Sequence, residues 1–356
     1  MTMERSEPTV TRATRPSDPP GPGPASTVVS APVLEVAGLR VTFRSHSRHA
    51  GDVLAVDGID LRLDGGGVLS LIGESGSGKS ATLLALAGLL PQTARVGGSV
   101  HLQGRSLLDL DEKQRARVRG KGMGLVFQDP GGSLNPVVTI GAQIDEVVTV
   151  HQGLKGKAAR ERTEALLVRC GFGDPAERAK TYPHQLSGGL KQRAAIAAAL
   201  AADPGVILAD EPTTALDATV QAQILDLLTD LVDNAGVALL LVTHDMAVAA
   251  AIADRIAVMY AGRIVEEREA AALMDGPGHP YGLALREAAL PFAANTSARH
   301  ERLPELLGRM AAAGGTGCAF APRCPLVVDQ CRLEAPRLEP FRDGSVACWR
   351  AGEATA

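Results

Sequence analysis

Apolar residues begin to recur at strand spacing from Val33 onward. VLEVAGLRVTF, VLAVDGIDLRL and VLSLIG follow one another as three predicted strands (residues 33–43, 53–63 and 68–73). A glycine-rich turn comes next, and an Ala/Leu-rich segment then predicts a helix to about Leu90. GSVHLQG and MGLVFQ predict two more strands. GVILAD and ALLLVTH are short apolar runs of the kind buried on both faces. The amphipathic stretches KAARERTEALLVRC and VQAQILDLLTDLVDN predict helices, and RIAVMYAGRIVEE predicts a hairpin. Strands alternating with helices imply an α/β fold with a mostly parallel sheet. Residues from about 138 to 202 are largely helical in pattern. A block at about 130–190 interrupts the alternation and is expected to be an inserted helical subdomain.

The ends of the chain differ. Residues 1–31 are rich in Pro, Ser and Thr, have no apolar period and are expected to be disordered. No apolar h-region and no run near eighteen apolar residues is present, which predicts a soluble chain in a reducing cytosol. Beyond about 290 regularity fades into Pro, Gly and Cys, and residues 291–356 are expected to be a separate extension. Across its 356 residues the chain carries a net charge of −4, so there is no global electrostatic reason to expect a nucleic-acid partner.

Two motifs carry chemistry. GESGSGKS spans Gly73, Glu74, Ser75, Gly76, Ser77, Gly78, Lys79 and Ser80, between a predicted strand and a predicted helix that opens with Ala81. Its glycines let backbone N–H groups turn inward around phosphate oxygens, and the helix N-terminus favours an anion. Lys79 would reach the terminal phosphates, and the Ser80 hydroxyl would bind Mg²⁺. Asp210 and Glu211 end the run GVILADEP, at the edge of a parallel sheet where ligands sit. Asp210 would hold Mg²⁺, and Glu211 would act as general base on the attacking water. Gln128 and His244 end two other predicted strands on the same edge. Gln128 could touch Mg²⁺ and the water. His244 could meet the γ-phosphate or simply cap the following helix. Phe43 could stack on adenine or serve as a core aromatic.

LSGGLKQR, from Leu186 to Arg193, changes the weighting of these motifs. Taken in order, Phe43, GESGSGKS, Gln128, LSGGLKQR, VILADEP, ALDA (Ala215 to Ala218) and His244 resemble the ATP-binding subunits of ABC transporters. The resemblance implies a P-loop NTPase core over residues 32–290, with an N-terminal antiparallel β subdomain and a small irregular C-terminal extension. It implies ATP and Mg²⁺ as ligands, with Ser80, Gln128 and Asp210 around the metal. It also implies a head-to-tail dimer in which Ser187, Gly188 and Gly189 face the nucleotide of a second ATPase subunit. FQDPGGSLNPVVTIGAQI, YPHQLSGG, PTTALDATVQAQILDLL and GHPYGLALREAALP narrow the likeness to importers of oligopeptides, dipeptides or nickel. Such ATPases work at the cytoplasmic face of the membrane with two transmembrane permease subunits and an extracytoplasmic solute-binding protein. Their ATPase partner is commonly a homologous, non-identical chain. An exporter or a non-transport ATPase of the same family is the alternative.

Four of the five cysteines fall in the tail: Cys318, Cys324, Cys331 and Cys348, spaced C-x5-C, C-x6-C and C-x16-C. The close C-x2-4-C knuckles of zinc ribbons are absent. The tail resembles the extension that holds a [4Fe–4S] cluster in some members of the subfamily. Structural zinc, disulfides and free buried thiols remain open as alternatives. Cys170, alone on an amphipathic segment, is expected to be a packing residue.

Overall fold

The computed structural model describes residues 32–45, 51–214, 216–289 and 313–353. The expected disorder of residues 1–31 lies outside that set, as do Ala215 of the ALDA stretch and residues 290–312, which lead into the tail.

The predicted strands sort into two sheets. The smaller contains β1 (Leu34–Phe43), β2 (Val53–Leu63), β4 (Ala94–Leu102) and β5 (Arg105–Ser106) in the order β2-β1-β4-β5, antiparallel throughout. The larger contains β3 (Val68–Ile72), β6 (Met123–Val126), β7 (Val206–Asp210), β8 (Ala238–Thr243), β9 (Arg255–Tyr260) and β10 (Arg263–Glu269). Its middle runs β9-β3-β8-β7-β6 with every neighbouring pair parallel, and β10 pairs back on β9 as the predicted hairpin.

Burial explains why these runs are so uniformly apolar. Every residue of β3, β7 and β8 is buried. Side chains alternate between two cores, as the pleat requires. Ile207, Ala209, Leu239 and Leu241 join the core under the helices, whereas Val206, Leu208, Leu240 and Val242 join the core beneath the antiparallel sheet. A parallel sheet covered on both faces needs hydrophobic residues on both.

Helix α1 (Lys79–Ala87) follows β3, and α2 (Glu112–Lys121) precedes β6. The apolar pattern did not predict α2, because none of its residues is buried. A capping box between Asp111 and Gln114 starts it instead. Between β6 and β7 lie α3 (Pro130–Ser133), α4 (Ile140–Gln152), α5 (Lys157–Arg169), α6 (Pro175–Arg178) and α7 (Gly188–Leu200). In α5 the buried positions Ala159, Thr163, Leu166 and Leu167 form the single stripe that its amphipathic spacing predicts. Cys170 ends that helix fully buried, its thiol pushed up to about 12 by desolvation, so it is a packing residue. Helix α8 (Ala218–Ala235) is capped by Asp217 at its start and by left-handed Gly236 at its end. Helices α9 (Met246–Ile252), α10 (Ala270–Asp275) and α11 (Pro280–Ala289) complete this layer. Among the described residues no helix is long and apolar enough to cross a membrane.

The tail is less irregular than its composition suggests. After α12 (Asp329–Leu333), strands β11 (Glu339–Phe341) and β12 (Gly344–Val346) form a hairpin. β12 pairs antiparallel with β10, so the tail extends the main sheet to eight strands. Arg268 on β10 is 4% exposed and bonds Asp343 in the hairpin turn. Local sequence did not show this hairpin, because each strand has only three residues and β12 relies on an edge supplied by β10.

Leu241, fully buried at the centre of the sheet, tests this packing. Leu241→Ala is expected to cost about 2–5 kcal/mol through lost burial and a residual cavity. Urea denaturation of the full chain would measure it as a lowered midpoint.

Candidate active site

The loop after β3 has the conformation that its glycines predict. Gly73, Gly76 and Gly78 all have positive φ, and Gly78 at φ 111° is the N-cap of α1. A Cβ on Gly78 would lie 2.5 Å from the carbonyl of Ala55, so no larger residue fits there. Lys79 is 5% exposed, and its Nζ donates to the carbonyls of Gly73 at 2.7 Å and Glu74 at 2.9 Å. These bonds fix the ammonium inside the loop it serves. Ser75, Gly76 and Ser80 are exposed, so the loop has an open face.

The loops after the neighbouring strands meet this one. The Ser80 hydroxyl donates to Asp210 Oδ1 at 3.2 Å, joining the start of α1 to the end of β7. The two oxygens predicted to hold Mg²⁺ are therefore adjacent, a hard-donor pair that suits a small dication. Gln128 lies two residues beyond β6, and its amide donates to Glu211 Oε2 at 3.0 Å. His244 follows β8 directly, with Nδ1 3.1 Å from Glu211 Oε1. One carboxylate thus brings together the three predicted catalytic residues. Thr214, which the motif reading did not single out, donates to the same carboxylate at 2.8 Å. Glu211 itself has φ 44°, a left-handed conformation unusual for a non-glycine residue, and its N–H donates to Val242 O at 2.8 Å.

Burial affects the charges here in opposite ways. Desolvation lowers the Lys79 ammonium against the opposing pull of Glu211, Asp210 and Glu74. Desolvation raises the Asp210 carboxyl, with the Ser80 hydrogen bond opposing. For Glu211, burial also works upward. It is outweighed by the hydrogen bonds of Thr214 and His244 and by the charges of His244 and Lys79, so that carboxyl stays below its ordinary value.

The remaining predicted positions are placed as follows. Phe43 ends β1 half-buried against the core of the antiparallel sheet. Ser187 is exposed and caps α7 by accepting the N–H of Leu190. Gly188 beside it is exposed, and Gly189 is buried against Val220.

The tail cysteines are all free, and Cys318, Cys324, Cys331 and Cys348 line one small pocket with Phe320, Trp349 and others. Among the described residues, however, no three His, Cys, Asp or Glu side chains are grouped so as to hold a metal ion. The expected [4Fe–4S] or zinc ligand set therefore has no support in this arrangement. Desolvation raises Cys318 and Cys324 and pushes Cys348 up to about 11. Two further residues emerge only from the fold. Tyr281, from GHPY, accepts the N–H of Glu74 at 2.8 Å, and Arg323, from APRC, pairs with the Glu74 carboxylate. GHPY was legible as a motif without a role, and Arg323 carried no signal beyond its place between two cysteines.

A glycine-lined loop joining strand to helix, with its lysine turned inward and an acidic pair at the end of the next strand but one, defines a P-loop nucleotide-binding protein. The family model described as "ABC transporter" matches residues 56–214, and "Oligopeptide/dipeptide transporter, C-terminal region" matches residues 265–331. The oligopeptide transport ATP-binding protein OppD of Mycobacterium tuberculosis is 47% identical over 325 residues, which is 90% of this chain and 52% of that protein. This chain thus spans about half the length of that relative. The dipeptide transport ATP-binding protein DppD of Escherichia coli is 44% identical over 84% of this chain and 92% of its own length. Among solved structures, a dimeric post-hydrolysis state of the ATP-binding cassette MJ0796 bound to ADP and Pi has a TM-score of 0.59. It is 30% identical and covers 67% of this chain and 98% of its own. The chain belongs to the ATP-binding proteins of ABC transporters, in the oligopeptide/dipeptide group.

Asp210 gives a test with a definite sign. Its folded-state pKa lies above the unfolded value, so its ionisation near neutral pH costs folding stability. Asp210→Asn is expected to melt at a higher temperature than the parent at pH 7 without nucleotide or Mg²⁺, and to lose Mg²⁺-dependent turnover. Calorimetry beside a phosphate-release assay checks both. Glu211 has the opposite linkage. Its contribution is present above the ordinary carboxylate pKa of 4.5 and is lost as pH falls through the lowered value.

Proposed function

We propose that this chain is the ATP-binding and ATP-hydrolysing subunit of an ABC importer for peptides. The observation that carries the reading is the Glu211 carboxylate, bonded by Gln128 and close to His244, one residue beyond the Asp210–Ser80 pair. The printed names of the relatives, oligopeptide and dipeptide transport proteins, supply the solute class. Nickel or another solute is the alternative within the same group, since selection rests with other chains.

In this reading Gly73 to Ala81 cradle the phosphates with backbone N–H groups, and Lys79 turns from its loop carbonyls to the terminal phosphates. Ser80, Asp210 and Gln128 hold Mg²⁺, which when bound withdraws charge from the phosphate oxygens. Glu211, kept ionised by its neighbours, accepts the proton of the attacking water. Gln128 and Thr214 fix that carboxylate in place, and His244 reaches toward the γ-phosphate. Phe43 stacks on adenine. The exposed Ser187 and Gly188, with Gly189 behind them, meet the nucleotide of a second, homologous ATPase subunit. Two transmembrane permease subunits and an extracytoplasmic solute-binding protein complete the assembly, with this chain on the cytoplasmic face.

Glu211→Gln is expected to lower kcat by about 10²–10⁴-fold while ATP still binds. Unchanged turnover, measured as phosphate release, would remove Glu211 as the base.

The tail carries a finer reading, that Cys318, Cys324, Cys331 and Cys348 hold a [4Fe–4S] cluster or zinc. The resemblance of the tail carries this reading; the four thiols line one pocket, and among the described residues no group is arranged to hold a metal. No step of hydrolysis runs through these residues. Anaerobically purified protein is expected to contain about four irons and about four sulfides per chain. Zinc alone, or no metal, would leave the tail a structural appendage.

A further inference from the structure

The cysteine-bearing tail reaches the phosphate loop. Phe320 is 1% exposed, and residues 321–323 make one 3₁₀ turn after it. From that turn Arg323 extends to Glu74, the second residue of the loop. Nη1 donates to Glu74 Oε2 at 2.9 Å and Nη2 to Oε1 at 3.0 Å, a bidentate pair between residues 249 apart in sequence. The Arg323 side chain is 5% exposed, and Glu74's is 31%. Nη1 also donates to the Tyr260 hydroxyl at 3.3 Å, and the guanidinium lies over the Tyr260 ring. Phe320 packs edge-on against Tyr260 and tilted against Tyr281.

Glu74 is thereby held at three points. Its N–H donates to Tyr281, its carbonyl accepts from Lys79, and its carboxylate is gripped by Arg323. Tyr281 is itself fixed, because its N–H donates to His279 Nδ1 at 3.0 Å, and the His279 N–H donates to the buried Glu266. A carboxylate beside a phosphate site would repel the ligand if unpaired. Arg323 offsets that charge at the carboxylate, while the carbonyl of the same residue accepts from Lys79.

We propose that Arg323 is a positioning residue for the phosphate loop, so that the C-terminal extension forms part of the nucleotide site. This rests on the assignment of residues 73–81 to ATP. Arg323 does not touch the nucleotide and acts through Glu74. Loss of the guanidinium leaves the Glu74 charge uncompensated and its backbone less constrained, so the effect falls on nucleotide affinity before it falls on the chemical step.

The test is a comparison of full-length variants by binding of a fluorescent ATP analogue and by steady-state hydrolysis. Arg323→Ala is expected to raise Kd and KM about tenfold, with kcat changed by less than about threefold. Adding Glu74→Gln to that variant is expected to recover part of the affinity, because the unpaired charge is gone. Arg323→Lys keeps the charge without the fork and is expected to fall between parent and Arg323→Ala. If the pair only anchors the tail, the single and double variants lose affinity equally, and that result overturns the proposal. Equal Kd for the parent and Arg323→Ala also overturns it. A parent chain that binds no nucleotide would refute the ATP assignment instead. Should Arg323→Ala fail to fold, Arg323→Gln with and without Glu74→Gln gives the same comparison.

Discussion

The constraint on which the rest depends is that β3, β7 and β8 are covered on both faces. With every residue of these strands buried, the polar side chains able to meet a ligand gather at their carboxyl ends. The phosphate loop leaves β3 there, Glu211 leaves β7 and His244 leaves β8, while Gln128 enters from the edge strand β6. The tight pairing of β7 with β8 extends one step past the strand, where Glu211 donates to Val242. That bond holds Glu211 in its left-handed conformation and turns its carboxylate toward Gln128 and His244.

The same burial sets the electrostatics. Lys79 and Asp210 are both removed from water and both carry charges that desolvation disfavours. They persist because each offsets the other and because their ligands would be of opposite sign, an anion for the lysine and a cation for the aspartate. Glu211 is less buried and better hydrogen-bonded, so its carboxyl is held below its ordinary value and stays ionised near neutral pH. A site arranged in this way is less stable than an apolar version of itself, a sacrifice typical of functional positions.

The extension changes from appendage to component when its contacts are followed. It adds two strands to the sheet edge at β10 and sets an arginine against the phosphate loop. Between these attachments lies the pocket of four thiols, whose lining includes Phe320 and Ala321 from the turn that bears Arg323. The short aromatic cluster of Tyr260, Tyr281 and Phe320 is the junction, an economical core in a chain with only 3% aromatic residues.

Sequence alone determined the parts whose signals are local. Periodicity located β1 to β4 and the buried central strands, because each strand must match its own burial. Glycine spacing located the phosphate loop, because positive φ is needed within a few residues. Short motifs located Asp210, Glu211, Gln128 and His244 at strand ends. The tertiary structure decided what depends on segments far apart. The Glu74–Arg323 pair spans 249 positions, and the tail hairpin needs an edge supplied by β10. Helix α2 has no buried residue and so no apolar stripe to read. The tail's family resemblance pointed to a metal ligand set, whereas packing lines one pocket with four thiols, and among the described residues no group is arranged to hold a metal. Local patterns report what a residue must bury or how its backbone must turn. Which charge it meets, and at what distance, is settled only when the chain has closed on itself.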